Sequence, residues 1–134
     1  MAKYYLQTDA PRPDYRLIIT FLWNDDHDVD TDGDARNPAS KTWTDLYCSD
    51  RARPSDHFEV EVISGERPQI IVESPNKEIA ARVALFLSSE LKVEVGPSRA
   101  ELASQCGRDF DVDAAFERTR LSRWRRATED QPYP

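Results

Sequence analysis

Residues 57–63 (H-F-E-V-E-V-I) alternate with a period of two, placing Phe58, Val60 and Val62 on one face and His57, Glu59 and Glu61 on the other. Only an extended strand has that period, so one side of the segment belongs to a core and the other to water. Ser64-Gly65-Glu66-Arg67-Pro68 supplies turn chemistry, and 69–73 (Q-I-I-V-E) returns as the second arm of a hairpin. Ser74-Pro75 reads as a helix N-cap with proline at the first helical position, where a missing N–H is harmless. In the helix that follows, Ile79, Val83, Phe86 and Leu87 fall on one stripe that can pack on the sheet. Val93-Glu94-Val95 comes directly after it, so 69–95 reads as strand, helix, strand, with a right-handed crossover if the strands are parallel.

The flanking segments extend this unit. Residues 3–7 (K-Y-Y-L-Q) favour an edge strand ended by Asp9-Ala10-Pro11-Arg12-Pro13. Residues 15–23 (Y-R-L-I-I-T-F-L-W) are apolar on both faces, which predicts a strand in the middle of the sheet, and 41–48 (K-T-W-T-D-L-Y-C) is expected to pair with it. Ser98 and Glu101 form a capping box for a short helix that Gly107 can stop. A last helix is expected from Asp109 or Asp111 to about Ala127, acidic at its start and basic at its end as the helix dipole prefers. Val112, Ala115 and Phe116 share one side of it, whereas Leu121 and Trp124 are turned by roughly 140° at the helical period. The final turns therefore face another part of the core, follow a kink, or meet a partner chain. The expectation is an α+β fold: a mainly antiparallel sheet of 4–6 strands with one packed helix and a helical C-terminal third. Residues 1–127 form a single domain and 128–134 a flexible tail.

Charge limits what such a domain does. The 134 residues hold 25 acidic and 18 basic side chains, a formal charge of −7, which argues against a general nucleic-acid binder. The longest uncharged apolar stretch, 17–23, is far short of the roughly 20 residues of a membrane helix, and no basic segment leads into an apolar one at the N-terminus. The expectation is a cytoplasmic protein with no membrane partner. Cys48 and Cys106 belong to no C-x-x-C pair and are expected as reduced, partly buried thiols. No nucleotide-binding or nucleophile motif occurs, and His27 and His57 lack metal or catalytic spacing. Glu59, Glu61 and Glu73 would suit a small enzyme with a carboxylate-lined cleft on the sheet, but alternation alone already makes the first two solvent-facing.

The charge is uneven. Residues 24–34 (N-D-D-H-D-V-D-T-D-G-D) contribute −6, and 117–126, which include R-T-R-L-S-R-W-R-R, contribute +4. Like charges this close repel, so the loop should be extended and mobile unless a cation or the arginine-rich helix of the same molecule compensates it. Asp28, Asp30, Asp32 and Gly33 have the D-x-D-x-D-G spacing of a calcium loop, in which alternate carboxylates converge on the ion. An EF-hand needs a bidentate glutamate at position twelve, where Ala39 stands, and Pro38 falls at the exit helix. What remains is an alternative reading as a divalent-cation protein, with Ca2+ held by Asp28, Asp30 and Asp32. The leading expectation is a non-catalytic protein-binding module without a cofactor, an inhibitor or immunity-type protein that neutralises a basic partner such as a toxin. Asp25, Asp26, Asp28, Asp30, Asp32 and Asp34 would attract that partner, and Trp23 or Trp43 would anchor it. Leu121 and Trp124 would form a secondary interface for homo-oligomers through the C-terminal helix.

Overall fold

The alternating segment and its return pair as their pattern dictates. In a computed structural model describing all 134 residues, β4 (His57–Ile63) and β5 (Gln69–Ser74) run antiparallel, with Val60 opposite Val72 and Val62 opposite Ile70. Gly65 in their turn has φ of 130°, which a side chain would resist. β1 (Ala2–Leu6) joins β5, while β3 (Asp45–Asp50) joins β4 and β2 (Val29–Gly33) joins β3. The order is β1-β5-β4-β3-β2 and every pair is antiparallel. Leu6, Leu46, Cys48, Phe58, Val60, Ile70 and Val72 fill the inner face. α2 (Lys77–Leu91) packs there on β1, β4 and β5, burying Ile79, Val83, Phe86 and Leu87. Each such side chain contributes about 1.5–3 kcal/mol through removal from water. The outer face carries exposed Asp45, Glu59, Glu61 and Ile63 and no packed helix. The fold is α+β, and no helix is long and apolar enough to cross a membrane.

Residues 15–23 are not the central strand that their apolarity predicts. They form α1 (Arg16–Leu22), whose seven residues are all buried. A run apolar on every side suits a buried helix as well as a central strand, and the ends decide which. At the start, Asp14 accepts the Arg16 N–H on Oδ1 and the Leu17 N–H on its carbonyl, both at 3.0 Å. At the finish, Arg118 donates from Nε to the Thr20 carbonyl (2.8 Å) and from Nη2 to the Phe21 carbonyl (2.5 Å). A residue almost a hundred positions away thus satisfies carbonyls that a helix end leaves open. With 15–23 out of the sheet, β3 finds its second neighbour in the acidic segment Val29–Gly33, expected as loop.

Two other boundaries move for local reasons. α2 is capped by Asn76, whose side chain accepts from Glu78 N (3.0 Å) and Ile79 N (3.3 Å); Ser74 ends β5 instead, donating Oγ to the His57 carbonyl (2.5 Å) and accepting the Asn76 N–H (3.1 Å). Val93–Val95 is not a parallel strand, since β1 already occupies the free edge of β5. Lys92 at φ 56° ends α2, the Val93 N–H returns to the Ser88 carbonyl, and Val95 makes only an antiparallel bridge to Leu6. The expected crossover therefore does not exist. α3 (Arg99–Ser104) starts at the Ser98 cap, and Gly107 follows it at φ 99°.

α4 (Val112–Arg120), capped by Asp111, is shorter than expected. The chain resets at Ser122, whose Oγ accepts the Trp124 N–H (3.2 Å) and starts a 3-10 turn, Arg123–Arg126. That break accounts for the mismatched stripes: Leu121 is 67% exposed, whereas Trp124 is buried. Beyond it, the Tyr133 ring stands edge-on to Trp124 and Asn37 Nδ2 donates to the Glu129 carbonyl at 2.8 Å.

Candidate functional site

The acidic run divides into a folded turn and an edge strand. Asp25 is structural: Thr20 Oγ1 and Ser122 Oγ donate to its Oδ1, each at 2.6 Å, and Arg123 N donates to Oδ2 at 3.2 Å. Burial alone would raise its pKa, but the Ser122, Thr20 and Arg123 donors outweigh it and hold the carboxyl below its ordinary range. Asp34 is held low by the Thr44 hydroxyl and by the Thr44 and Asp45 amides. Asp26 pairs with Arg123 at 2.6 Å, while Arg51 reaches both Asp28 (2.9 Å) and Asp30 (3.2 Å). Asp32 bonds only the N–H of Gly33. The acidic run is therefore not left to its own repulsion, and two of its three ion pairs come from Arg51, which lies outside the arginine-rich segment. Those ion pairs are exposed and screened by solvent, so Asp26, Asp28 and Asp30 are still open to a competing cation.

A stronger concentration of unpaired charge lies on the outer sheet face. Across the strands, Asp32 stands opposite Tyr47, Tyr47 opposite Glu59, Glu59 opposite Glu73, and Glu73 opposite Lys3. The neighbouring row runs from Asp45 to Glu61, Ile71 and Tyr5. Two carboxylate pairs, Asp45 with Glu61 and Glu59 with Glu73, are thus directly opposed, an arrangement that destabilises a sheet. Lys3 reaches Glu73 at 3.7 Å, but Asp32, Asp45, Glu59 and Glu61 form no ion pair.

On the inner side of β2, two cavities of about 180 and 200 Å3 share Tyr15 and Thr31 as a common wall. The first is lined further by Ala35, Trp43 and Leu46, the second by Arg16, Asp25, His27 and Trp124. Arg16 forks onto Asp14 through Nε (2.9 Å) and Nη2 (2.6 Å) and lies 3.8 Å above the Trp124 ring centre, while its buried Nη1 has no hydrogen-bond partner. His27 stacks on Trp23 at 4.6 Å and puts Nε2 3.1 Å from Asp50.

The tryptophans named as anchors part ways. Trp23 is half-buried against His27, but Trp43 is 2% exposed with Nε1 donating to the Pro13 carbonyl, so it is core. Trp124 is covered too, leaving Leu121 as the exposed member of the proposed secondary interface. Asp28, Asp30 and Asp32 follow one another into and along an extended strand, and no group of three His, Cys, Asp or Glu side chains is placed to hold a metal ion. Glu59, Glu61 and Glu73 are legible in the sequence as one polar face, but Asp45 joins them, and Glu59 comes to oppose Glu73, only through strand register.

Both thiols are buried and free. Burial pushes Cys48 up to about 12 and Cys106 up to about 11, the reverse of what a nucleophilic cysteine needs. Unfolding returns them to ordinary values near 9, so their contribution to stability is complete below that pH and is lost as the pH rises towards 12. A thiol reagent at pH 8 should leave the native protein unmodified and label both cysteines in urea. The unfolding midpoint should also fall between pH 8 and 10.5, less steeply in Cys48→Ala. Rapid native labelling, or an equal fall in the variant, would contradict this burial. No protein-family model matches the chain, and neither a curated protein nor a solved structure is significantly similar to it.

Proposed function

We propose that the protein is a non-catalytic binding module of the inhibitor or immunity type, whose acidic surface docks on a basic protein partner such as a toxin. The observation that carries this reading is the outer sheet face, where Asp45 opposes Glu61 and Glu59 opposes Glu73 with Lys3 as the sole ion-pairing cation on those rows. A sheet gains nothing from facing carboxylates at one another, whereas a cationic partner converts that repulsion into attraction and is steered to it from a distance. The exposed carboxylates Asp26, Asp28 and Asp30, shared between Arg123 and Arg51, add one net negative charge to this field, with Trp23 as the reachable aromatic of the loop base. Asp25 and Asp34 serve the fold.

The test is a triple variant, Asp45→Asn, Glu59→Gln and Glu61→Gln. Its stability in urea should rise by about 0.5–1 kcal/mol as cross-strand repulsion is relieved. A basic protein captured from the native organism by the wild type should associate with the variant at least tenfold more slowly at low salt, with a shallower salt dependence. Unchanged association kinetics would remove the sheet face from recognition.

A further inference from the structure

The open edge of β2 says how such a partner is held. The ladder to β3 is bonded at the even positions, as the Arg51 N–H to the Asp28 carbonyl and the Asp34 N–H to the Asp45 carbonyl show at its two ends. Antiparallel alternation then turns the backbone groups of Val29, Thr31 and Gly33 away from the sheet. Arg51 Nη2 covers the Val29 carbonyl (3.2 Å) and Asp32 Oδ1 takes the Gly33 N–H (2.9 Å), so the unclaimed pair is that of Thr31. The two cavities beside Tyr15 meet at this same residue.

We propose that β2 is a strand-addition edge that takes, antiparallel, an extended basic segment of the partner, with Thr31 as the central backbone contact. This rests on the binding-module reading above. An added residue opposite Thr31 exchanges hydrogen bonds with it and points its side chain to the inner side, where the cavities lie; residues on either side of it stand over Asp30 and Asp32. The occupant is fixed by charge. A second copy of this chain would bring its own Asp30 and Asp32 against the same pair, whereas arginines or lysines at alternate positions complement them. Arg51 already shows the kind of group Asp30 accepts, and its exposed ion pairs with Asp28 and Asp30 are readily exchanged. The first cavity, bordered by Thr31, Asp32 and Asp45 as well as by Ala35, Trp43 and Leu46, receives that inward side chain. The other, also bordered by Tyr15 and Thr31, has a mixed polar and aromatic wall of Arg16, Asp25, His27 and Trp124.

The probe is a capped nine-residue peptide of alternating arginine and valine, compared with versions N-methylated on every valine amide or on every arginine amide. Charge is identical in all three, but in antiparallel addition the valine amides face β2 and the arginine amides face away. Titrated against the full-length protein at low salt, the unmodified and arginine-methylated peptides should bind at least tenfold more tightly than the valine-methylated one. Thr31→Pro removes an N–H the fold does not use together with the hydroxyl that Tyr15 bonds, and it should abolish that preference, whereas Thr31→Val, which loses the hydroxyl alone, should keep it. The sheet-face triple variant should keep it. Equal binding of all three peptides to the wild type would overturn strand addition, and if the triple variant then weakens all three equally, the acidic face still stands as the binding surface. Failure of every peptide to bind would overturn both readings.

Discussion

Asp14→Ala is expected to lower the unfolding free energy by about 3–5 kcal/mol, read as a drop in the urea midpoint at unchanged slope. The Asp14 carboxylate sits 2.6 Å from Arg16 Nη2 and 2.9 Å from Nε and also accepts the Arg16 N–H. Both side chains are under 10% exposed, so removing one partner strands a guanidinium in a site that water hardly reaches. Nη1 already lacks a partner there, and only the Trp124 and Tyr133 rings lie over the group. The same substitution takes away the acceptor that opens α1. A buried charge pair is costly to break but replaceable as a unit, so Asp14→Ala combined with Arg16→Met should be less destabilised than Asp14→Ala alone. A cost below about 1 kcal/mol for the single change would mean that Arg16 finds water where the fold shows burial.

Phe21→Ala should cost about 3–5 kcal/mol and Phe21→Leu about 1–1.5 kcal/mol. The ring is fully buried with the rings of Phe86, Phe110 and Phe116 centred 5.3, 5.5 and 4.8 Å away. Those contacts join α1 to α2, to α4 and to the segment between α3 and α4, so an alanine opens a void where three parts of the helical layer meet. The control is Trp23→Ala two residues on, larger in volume lost but half-buried and stacked only on His27, with an expected cost under about 1.5 kcal/mol. Domains of this size are stable by about 5–15 kcal/mol, so Phe21→Ala should bring the protein close to unfolding at 37 °C. Equal costs at the two positions would mean that the aromatic cluster is not the joint of the helical layer.

These two variants probe the segment that was least legible. Residues 15–23 satisfy the burial pattern of a strand and of a helix alike, and α1 owes its identity to Asp14 before it and Arg118 far behind it. The candidate site was half legible. The alternation of 57–63 exposes Glu59 and Glu61, and the density of aspartates in 24–34 marks that stretch as unusual. Which carboxylates are spent on the fold depends on Thr20, Thr44, Arg51 and Arg123 arriving from other parts of the chain.

By itself the sequence determined whatever is settled within one turn or one strand: the β4–β5 hairpin, the apolar stripe of α2 and the Ser98 cap of α3. Periodicity and nearest-neighbour hydrogen bonds act over a few residues and are written in order along the chain. Only the tertiary structure decided that 15–23 is helical, that Val29–Gly33 becomes an edge strand, and that Asp45 faces Glu61 while Glu59 faces Glu73. Strand register and long-range donors place charges side by side that are tens of residues apart, and no local pattern encodes the distance between them.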